Sequence, residues 1–299
     1  MQTFFKSYWL AFVLLNMPLL FGQMINNLSG DAFTDLPFFD SQFMKRNRIK
    51  SLEGNYSRKK DGDIVRSSND FFKYTFDTSG NLINSIQVKS DFGKKDTILN
   101  FYVYNEKKLL SIHRKTENDG LTAYHYEYDS LNRIIAIQQN RDIINADGQV
   151  LSTISINRET MKYFKIEDGY RKVTYNSYNL PYMDEYESWD SVGYKLEEVQ
   201  KYRMGSSEYK KRFFYNEKGL LASWAIFYND SEKPIKEVHF KYDNFGNVIE
   251  RKNYGDSVFL GELQIIYDNK TQLLGSTIEK IAGSNLLLIL RFKDIQFHN

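Results

Sequence analysis

The chain has 299 residues, of which 41% are hydrophobic and 16% aromatic. This is enough apolar material for a large core, so the composition excludes an intrinsically disordered protein. Its 40 lysines and arginines nearly balance 38 aspartates and glutamates, which argues against a nucleic-acid-binding surface. The chain has no cysteine, which excludes disulfide bonds and a lipid-modified N-terminal cysteine.

The first 22 residues have the pattern of a cleaved secretory signal peptide. One cation, Lys6, precedes an apolar run that extends from Tyr8 to Phe21, and Gly22 follows it. The run is shorter than the roughly 20 residues that cross a bilayer core. We therefore expect residues 1–22 to be removed and the mature chain to reside in the periplasm or at the bacterial cell surface. A retained N-terminal anchor is the alternative.

Residues 23–70 are predicted to form an N-terminal cap that contains a short helix and the first strand. Pro37 would lie at the start of the helix, which would end near Arg46. Its apolar residues at roughly helical spacing are Phe38, Phe39, Phe43 and Met44. Repeat arrays need a cap of this kind because their terminal unit would otherwise expose an apolar face.

Residues 71–299 contain a repeated turn motif. An aromatic or aliphatic residue precedes Asp or Asn, and a residue that tolerates positive φ follows three positions later. The clear copies place these two turn residues at Asp77 and Gly80, Asp129 and Asn132, Asn145 and Gly148, Asn216 and Gly219, and Asp243 and Gly246. Weaker copies begin at Tyr104, at Tyr267 with Thr271 in the Gly position, at Tyr175 and at Trp189.

This motif is typical of a β-hairpin whose loop is a type I turn followed by a bulge. The Asp or Asn side chain caps the turn, and Gly or Asn can enter the left-handed region that closes it. The flanking residues alternate between aromatic and polar, as in Phe72, Tyr74 and Phe76, which indicates half-buried strands. The predicted fold is all-β: an array of antiparallel hairpins that forms an open curved sheet, with a short N-terminal capping helix.

Two copies carry a resemblance to a known family. The segments YEYDSLNRI (residues 126–134) and FKYDNFGNVIE (residues 240–250) resemble the YD repeat of the Rhs family. The resemblance covers residues 70–140 and 210–275, and most copies lack the family's Arg after the Gly. It implies consecutive hairpins in an exported bacterial protein, which in large members form a shell around a C-terminal toxin. Fewer than ten units are too few to close such a shell, and about 25 residues after the last repeat are too few for a toxin domain.

Few residues favour catalysis. The four histidines have no metal-ligand spacing, and His125 and His239 alternate with aromatic residues, so we expect both to face water. Asp184, Glu185 and Glu187 lie near Trp189 and could imitate the acid pair of a glycosidase. A glycan-active enzyme therefore stays an alternative, but the sequence favours a protein that is not an enzyme and that has no cofactor and no metal.

The favoured function is a non-catalytic exported scaffold or protein-binding subunit. An open sheet would offer its edge strands or an aromatic face to another envelope protein. One form would be a periplasmic accessory or plug subunit of an outer-membrane transport or secretion complex, peripheral to the membrane and without nucleic acid. The candidate binding aromatics are Tyr186, Trp189 and Trp224. A carbohydrate-binding module at the cell surface, with such rings exposed in a line, is a further alternative.

Overall fold

The computed structural model describes residues 22–91, 94–105, 108–116, 120–144, 150–167 and 169–299. These residues form one helix and an antiparallel sheet of 18 strands. In chain order the elements are α1 (Ser41–Arg46), β1 (Ile49–Lys60), β2 (Arg66–Phe76), β3 (Leu82–Asp91), β4 (Lys94–Asn105), β5 (Lys108–Thr116), β6 (Gly120–Tyr128), β7 (Ile134–Ile144), β8 (Val150–Ile166), β9 (Gly169–Tyr175), β10 (Pro181–Trp189), β11 (Lys195–Tyr202), β12 (Glu208–Tyr215), β13 (Leu221–Tyr228), β14 (Pro234–Tyr242), β15 (Val248–Gly255), β16 (Val258–Tyr267), β17 (Leu274–Ile281) and β18 (Leu286–Phe297). The predicted signal peptide lies outside the described residues, apart from Gly22. Within the described part of the chain, no helix is both long and apolar enough to cross a membrane.

The sheet closes into a barrel. Each strand pairs with the next strand in the chain, and β1 also pairs with β18 in a register that runs from Ile49 opposite Phe297 to Lys60 opposite Leu286. The prediction of antiparallel β-hairpins is confirmed, but the prediction of an open curved sheet is wrong. An open sheet would leave a row of unpaired backbone groups on each terminal strand, and closure pairs these two rows with each other.

Alternating strand directions place the turns at two ends of the barrel. The helix end is the end at which β1 begins, and it carries the turns between β2 and β3, β6 and β7, β10 and β11, β12 and β13, β14 and β15, and β16 and β17. Strands β4 and β8 also end at the helix end, and the far end carries the connections that follow odd-numbered strands, including the turn between β9 and β10. Most copies of the repeated turn therefore lie together at the helix end.

The turn at Asp77 shows how the motif reverses the chain. The N–H of Asp77 donates to the carbonyl of Asn81 at 3.0 Å, and the N–H of Gly80 donates to the carbonyl of Asp77 at 3.0 Å. The Oδ1 of Asp77 accepts from the N–H of Ser79 at 2.8 Å and from the N–H of Asn81 at 2.9 Å. Gly80 has φ 83°, and the strand register shifts at Phe76, as in a hairpin with a bulge.

The same geometry recurs at the other described copies. The residues that close these turns with positive φ are Gly80, Asn132, Asn179, Gly193, Gly219 and Gly246. Asn145 and Gly148 lie outside the described residues. In the last copy the assignment of Thr271 to the left-handed position is wrong, because the loop is one residue longer and Gln272 has φ 57°. The Oγ1 of Thr271 instead donates to Asp268 at 2.9 Å.

At four of the turns, the tyrosine that precedes the turn links neighbouring hairpins. The hydroxyl of Tyr267 donates to the carbonyl of Val248 at 3.0 Å, and that of Tyr242 donates to the carbonyl of Leu221 at 2.7 Å. Further links of this type join Tyr128 to Leu109 and Tyr215 to Lys195, and Tyr163, within β8 and outside the motif, makes a similar bond to the carbonyl of Ile134. Each accepting carbonyl lies at or near the start of a strand that follows an earlier turn at the helix end. The aromatic position of the motif therefore holds adjacent hairpins in register.

Residues 22–47, called the plug below, lie inside the barrel in the half nearest the helix end. The N–H of Met24 donates to the Oδ1 of Asn247 at 3.2 Å, and the hydroxyl of Tyr102 donates to the carbonyl of Asp35 at 2.9 Å. These two contacts lie far apart in the order of the strands, so the segment between them crosses the lumen. The plug adds Met24, Ile25, Ala32, Phe38, Phe39, Phe43 and Met44 to the hydrophobic core.

The predicted cap is part of this arrangement. Helix α1 begins at Ser41 rather than near Pro37, because Asp40 is the N-cap residue and its Oδ1 accepts from the N–H of Phe43 at 2.7 Å. The helix ends at Arg46, as the sequence predicts. Strand β1 pairs with strands on both sides, and residue 70 lies within β2, so residues 23–70 include wall strands as well as the plug.

Gly80 should tolerate a side chain less well than Gly193, although both have positive φ. A Cβ on Gly80 would overlap the carbonyl of Ser41 and lie 2.7 Å from the N of Lys45, whereas Gly193 has nothing within 4 Å. We expect Gly193→Ala to lower the free energy of unfolding by about 1 kcal/mol, the cost of the left-handed conformation, and Gly80→Ala to lower it by at least about 1 kcal/mol more. Urea denaturation measures both losses, and equal losses would contradict the contact between α1 and this turn.

Tyr267→Phe should destabilise the barrel because it leaves the buried carbonyl of Val248 without its donor. We expect a loss of about 1 kcal/mol in the free energy of unfolding, the usual net value of such a hydrogen bond. The matched control is Tyr178→Phe, since Tyr178 is 84% exposed and Tyr267 only 9%. The control should change stability by less than about 0.5 kcal/mol. A Tyr267→Phe protein as stable as the control would show that the hydroxyl does not link the hairpins.

Candidate functional site in the lumen and at the edge of β8

The strand alternation divides the wall into an inner and an outer face. Tyr74, Phe213 and Phe240 are buried in the core that includes the plug, so their neighbours along each strand point outward. These outward neighbours form ion pairs between strands: Lys73 with Glu53, Arg212 with Glu197, and Lys241 with Glu250. The inner face is therefore largely apolar where the plug packs, and the outer face is charged.

Away from the plug, the inner face carries a charged cluster on β10 and β11. Glu185, Glu187 and Glu198 can bring one carboxylate oxygen each within 4.8 Å of the others. Glu187 lies opposite Glu198 in the register that the turn at Asp190 sets. Sequence analysis singled out Glu185 and Glu187 but missed Glu198. The signal that could have found it was that hairpin register.

Basic and amide side chains occupy the space around these acids. The Nζ of Lys195 lies 2.7 Å from Glu187 and 3.4 Å from Glu198, and Lys172 pairs with Glu185. The Nε2 of Gln200 donates to Glu185 at 3.0 Å and to Glu198 at 3.2 Å. Two lysines and an amide thus satisfy the three carboxylates, which is the arrangement of a paired ion network rather than of an open metal site.

The pKa of Lys195 reports the strength of this network. Burial is the largest single influence and lowers the pKa of its ammonium group, but the hydrogen bond and attraction of Glu187, joined by Glu198, outweigh it. The pKa of Lys195 is therefore raised from its ordinary value, and the lysine stays charged at neutral pH.

A second half-buried cation lies where the network meets the plug. The Nζ of Lys211 lies 4.6 Å from the ring centre of Trp224 and 4.9 Å from that of Phe213. Burial lowers the pKa of Lys211. Burial also raises the pKa of Asp31 in the plug, although the positive charges of Lys211 and Arg251 act in the opposite direction. Lys211 is thus held by aromatic rings and by more distant charges.

The structure separates the three predicted acids. Asp184 is on the outer face, where it accepts from Arg171 at 2.7 and 2.9 Å and from Arg203 at 2.7 and 3.1 Å. The hydrogen bonds from Arg203, and then those from Arg171, lower the pKa of its carboxyl group despite burial. Asp184 therefore does not join Glu185 and Glu187, and the three do not form one catalytic acid pair.

The predicted binding aromatics are also separated. Trp224 is buried and packs against Gly30 of the plug, and its Nε1 has no hydrogen-bond partner in the described part of the chain. Trp189 is 43% exposed, with Lys195 over its ring at 5.2 Å. Tyr186 lies on the outer face below Lys201 at 5.9 Å. The three rings do not form the exposed line that a sugar platform requires.

The histidines stay apart from these groups. His239 is exposed on the outer face, and its Nε2 lies 3.1 Å from Glu237. The rings of His113 and His125 pack edge to face with centroids 5.3 Å apart. Burial and then the charge of His125 lower the pKa of His113, which favours its neutral form.

Strand β8 has a long edge that its neighbour does not cover. It pairs with β7 from Val150 to Thr160, but with β9 only from Thr160 to Ile166. At the boundary, Ser177 accepts from the N–H of Arg158 at 2.9 Å. Residues 150–157 therefore have a strand on one side only among the described residues. The side chains of residues 151–156 are exposed on both faces of the strand.

The turn at Asn176 causes this step in the wall. Its N–H donates to the carbonyl of Leu180 at 3.0 Å, and Asn179 closes the turn with φ 58°. This copy of the motif, which begins at Tyr175, reverses the chain at the far end after β9 has covered only the last part of β8. An apparently degraded copy of the repeat is thus a well-formed turn that shortens one strand.

Asp184→Asn should destabilise the protein in a pH-dependent way. The lowered pKa of Asp184 means that its ion pairs stabilise the fold above its unfolded pKa near 3.9 and are lost as the pH falls through the folded value. At pH 7 we expect a loss of about 1.5 kcal/mol in the free energy of unfolding, and a smaller loss below pH 4. Urea denaturation across this range measures the difference.

The control is Glu197→Gln, which removes an exposed ion pair with Arg212. It should change the free energy of unfolding by less than about 1 kcal/mol. An Asp184→Asn protein with wild-type stability at pH 7, or with the same loss at every pH, would show that this carboxylate does not stabilise the outer face.

Comparisons with known proteins yield distant structural likenesses only. No family model matches the chain, and no curated protein matches it in sequence. A porin-like protein from Bacteroides uniformis aligns at 11% identity with a TM-score of 0.40, covering 83% of this chain and 98% of that one. A porin-like protein from Bacteroides vulgatus aligns at 8% identity with a TM-score of 0.30, covering 80% and 96%. A LolA superfamily protein from Nitrosomonas europaea aligns at 10% identity with a TM-score of 0.24, covering 85% and 91%. Values this low identify neither a family nor a function for the chain.

Proposed function

We propose that this chain is a non-catalytic binding protein of the bacterial envelope and that its partner is another exported protein. The observation that carries the proposal is the uncovered edge of β8. A row of unpaired backbone N–H and C=O groups recognises an extended peptide segment, which pairs with it as an added strand. The occupant is therefore an extended segment of a partner protein.

The side chains along the edge support this mode of binding. Residues 151–156 read Leu-Ser-Thr-Ile-Ser-Ile and include no charge and no proline, the residues with which proteins usually protect an edge. Leu151 is 66% exposed, and Ile154 and Ile156 are each 51% exposed. An uncharged edge with three exposed apolar residues suits an apolar extended segment and would be a liability if it had no partner.

The outer wall supports a peripheral position in the envelope. Its ion pairs include Arg171 and Arg203 with Asp184, Lys73 with Glu53, and Lys252 with Glu250 and Glu262. A charged side chain that faces lipid at mid-depth costs about 2–4 kcal/mol, so these pairs favour water around the wall. The signal-peptide pattern favours export, and the resemblance to YD repeats favours a bacterial source.

The lumen supports a role without catalysis. Glu187 and Glu198 share Lys195, and Glu185 is held by Lys172 and Gln200. A catalytic acid pair needs carboxylates that can reach a substrate. The carboxylates of Glu185, Glu187 and Glu198 are instead bound by lysine and glutamine side chains on the inner face of the wall. In its most specific form, the proposed role is that of a periplasmic accessory or plug subunit of an outer-membrane transport or secretion complex.

Site-specific photo-crosslinking in the native envelope tests the proposal. A benzoylphenylalanine at Ser152, on the edge, should crosslink to another exported protein, and peptide mapping should place the adduct in an extended segment. Ile154→Lys with Ile156→Lys should abolish that adduct, because two charges protect the edge against strand addition.

The matched control is Ile266, which is 48% exposed on the outer face of β16, a strand paired on both sides. A benzoylphenylalanine at Ile266 should give no such adduct, and Ile266→Lys should leave the Ser152 adduct unchanged. An adduct only with a second copy of the chain, or an adduct that survives the two lysines, would overturn the proposal.

A further inference from the structure

A cavity of about 570 Å³ occupies the lumen between the plug and the far end of the barrel. Its floor is formed by Phe33, Thr34 and Asp35 of the plug, and its walls by strands on both sides of the closing pair of β1 and β18. The volume is within the range of about 300–1,000 Å³ that is typical of small-molecule sites. The cavity therefore belongs to the barrel itself and not to the edge of β8.

The walls of the cavity present apolar and polar surface in about equal parts. The apolar and aromatic side chains among its lining residues include Phe33, Tyr56, Phe72, Leu263, Leu288 and Leu290. Tyr56 is fixed by a hydrogen bond from the Nε2 of Gln87 at 2.8 Å, and burial raises its pKa to about 12. Its hydroxyl thus stays neutral at physiological pH. Walls with an apolar part and a polar part favour an amphipathic ligand.

Arg251 gives the cavity a polar attachment point. Its Nη1 donates to the carbonyl of Ala32 at 3.1 Å, and its Nε lies 3.2 Å from the Oδ1 of Asn253. Its Nη2 has no hydrogen-bond partner among the described residues, and no described carboxylate forms a salt bridge with the guanidinium. Burial lowers the pKa of Arg251, so an anion at Nη2 would offset the cost of keeping the charge away from water.

The other charges that line the cavity leave this preference in place. Lys89 lies over the ring of Tyr56 at 5.4 Å, and Glu279 is exposed at the wall. Asp35 is paired with Arg114. Glu262 and Lys280 also line the cavity, but Glu262 pairs with Lys252 and lies opposite Lys280 across the two strands, so these two charges offset each other. The charges of Asp31 and Glu279 attract Arg251 without a salt bridge to it, which leaves its guanidinium able to pair with a ligand.

We propose that the lumenal cavity binds an amphipathic anion, a molecule with an apolar chain and a carboxylate-like head group that pairs with Arg251. The apolar part lies against Phe72, Leu263 and Leu288, and the head group accepts hydrogen bonds from Nη2 of Arg251. This site goes beyond the proposed role of the β8 edge, uses different residues and can fail independently of it.

Fluorescence titration of the full exported chain with cis-parinaric acid tests the site, and the methyl ester of the same acid serves as the neutral probe. We expect saturable binding with a preference of about tenfold for the acid, the value of one charge-assisted hydrogen bond. Arg251→Gln should remove this preference. Lys252→Gln is the matched control, because Lys252 is the next residue on the strand and faces outward.

A second variant separates the cavity from the charge. Leu263→Trp places a larger side chain in the wall and should weaken binding of both probes by at least about tenfold. Ile266→Trp, on the outer face of the same strand, should leave binding unchanged. Circular dichroism and the urea midpoint confirm that each variant is folded.

Absence of saturable binding, or a folded Leu263→Trp protein that binds as tightly as the wild type, would overturn the site. Equal affinity of the wild type for acid and ester, or an acid preference that persists in Arg251→Gln, would overturn the proposal that the ligand is an anion paired with Arg251.

Discussion

Pairing between β1 and β18 gives the sheet an inside and an outside. A barrel of 18 strands is too wide for its own inward side chains to fill, and open barrels of this size contain water. Here the plug supplies the missing apolar volume near the helix end, where Phe39 packs edge-on against Tyr74 at 4.8 Å between ring centres. The plug ends before the far end, and the cavity begins at Phe33. Closure of the barrel therefore creates both the hydrophobic core around the plug and the cavity between the plug and the far end.

The charges follow the same division. Outer pairs such as that of Lys73 with Glu53 cost little because water still reaches them. Inner charges must be satisfied by each other, and Lys195 between Glu187 and Glu198 meets this requirement. The inner network lies on β10 and β11, which contribute no described residue to the core around the plug, so polar pairing takes the place of apolar packing in that part of the lumen.

Local patterns predict the strands and turns well, because each turn depends on residues within five positions, such as Asp77 and Gly80. They could not predict closure, because Ile49 and Phe297 come together only in the folded chain. The same limit applies to the inner acids. The sequence places Glu185 and Glu187 near Trp189, but the position of Glu198 depends on the strand register across the turn at Asp190. The burial of Trp224 depends on the path of the plug, which no local sequence pattern predicts.

The irregular middle of the repeat carries the edge on which the proposed function rests. In a barrel made only of regular hairpins, every strand would be covered along its length and no edge would remain. The turn at Asn176 comes early, at the far end, and leaves β9 with 7 residues beside the 17 residues of β8. The turn itself has the regular geometry, so the uncovered edge results from its early position in the chain. A turn placed later would let β9 continue along β8 and pair with residues 150–157, so the length of β9 alone decides whether this part of β8 has a neighbour on both sides.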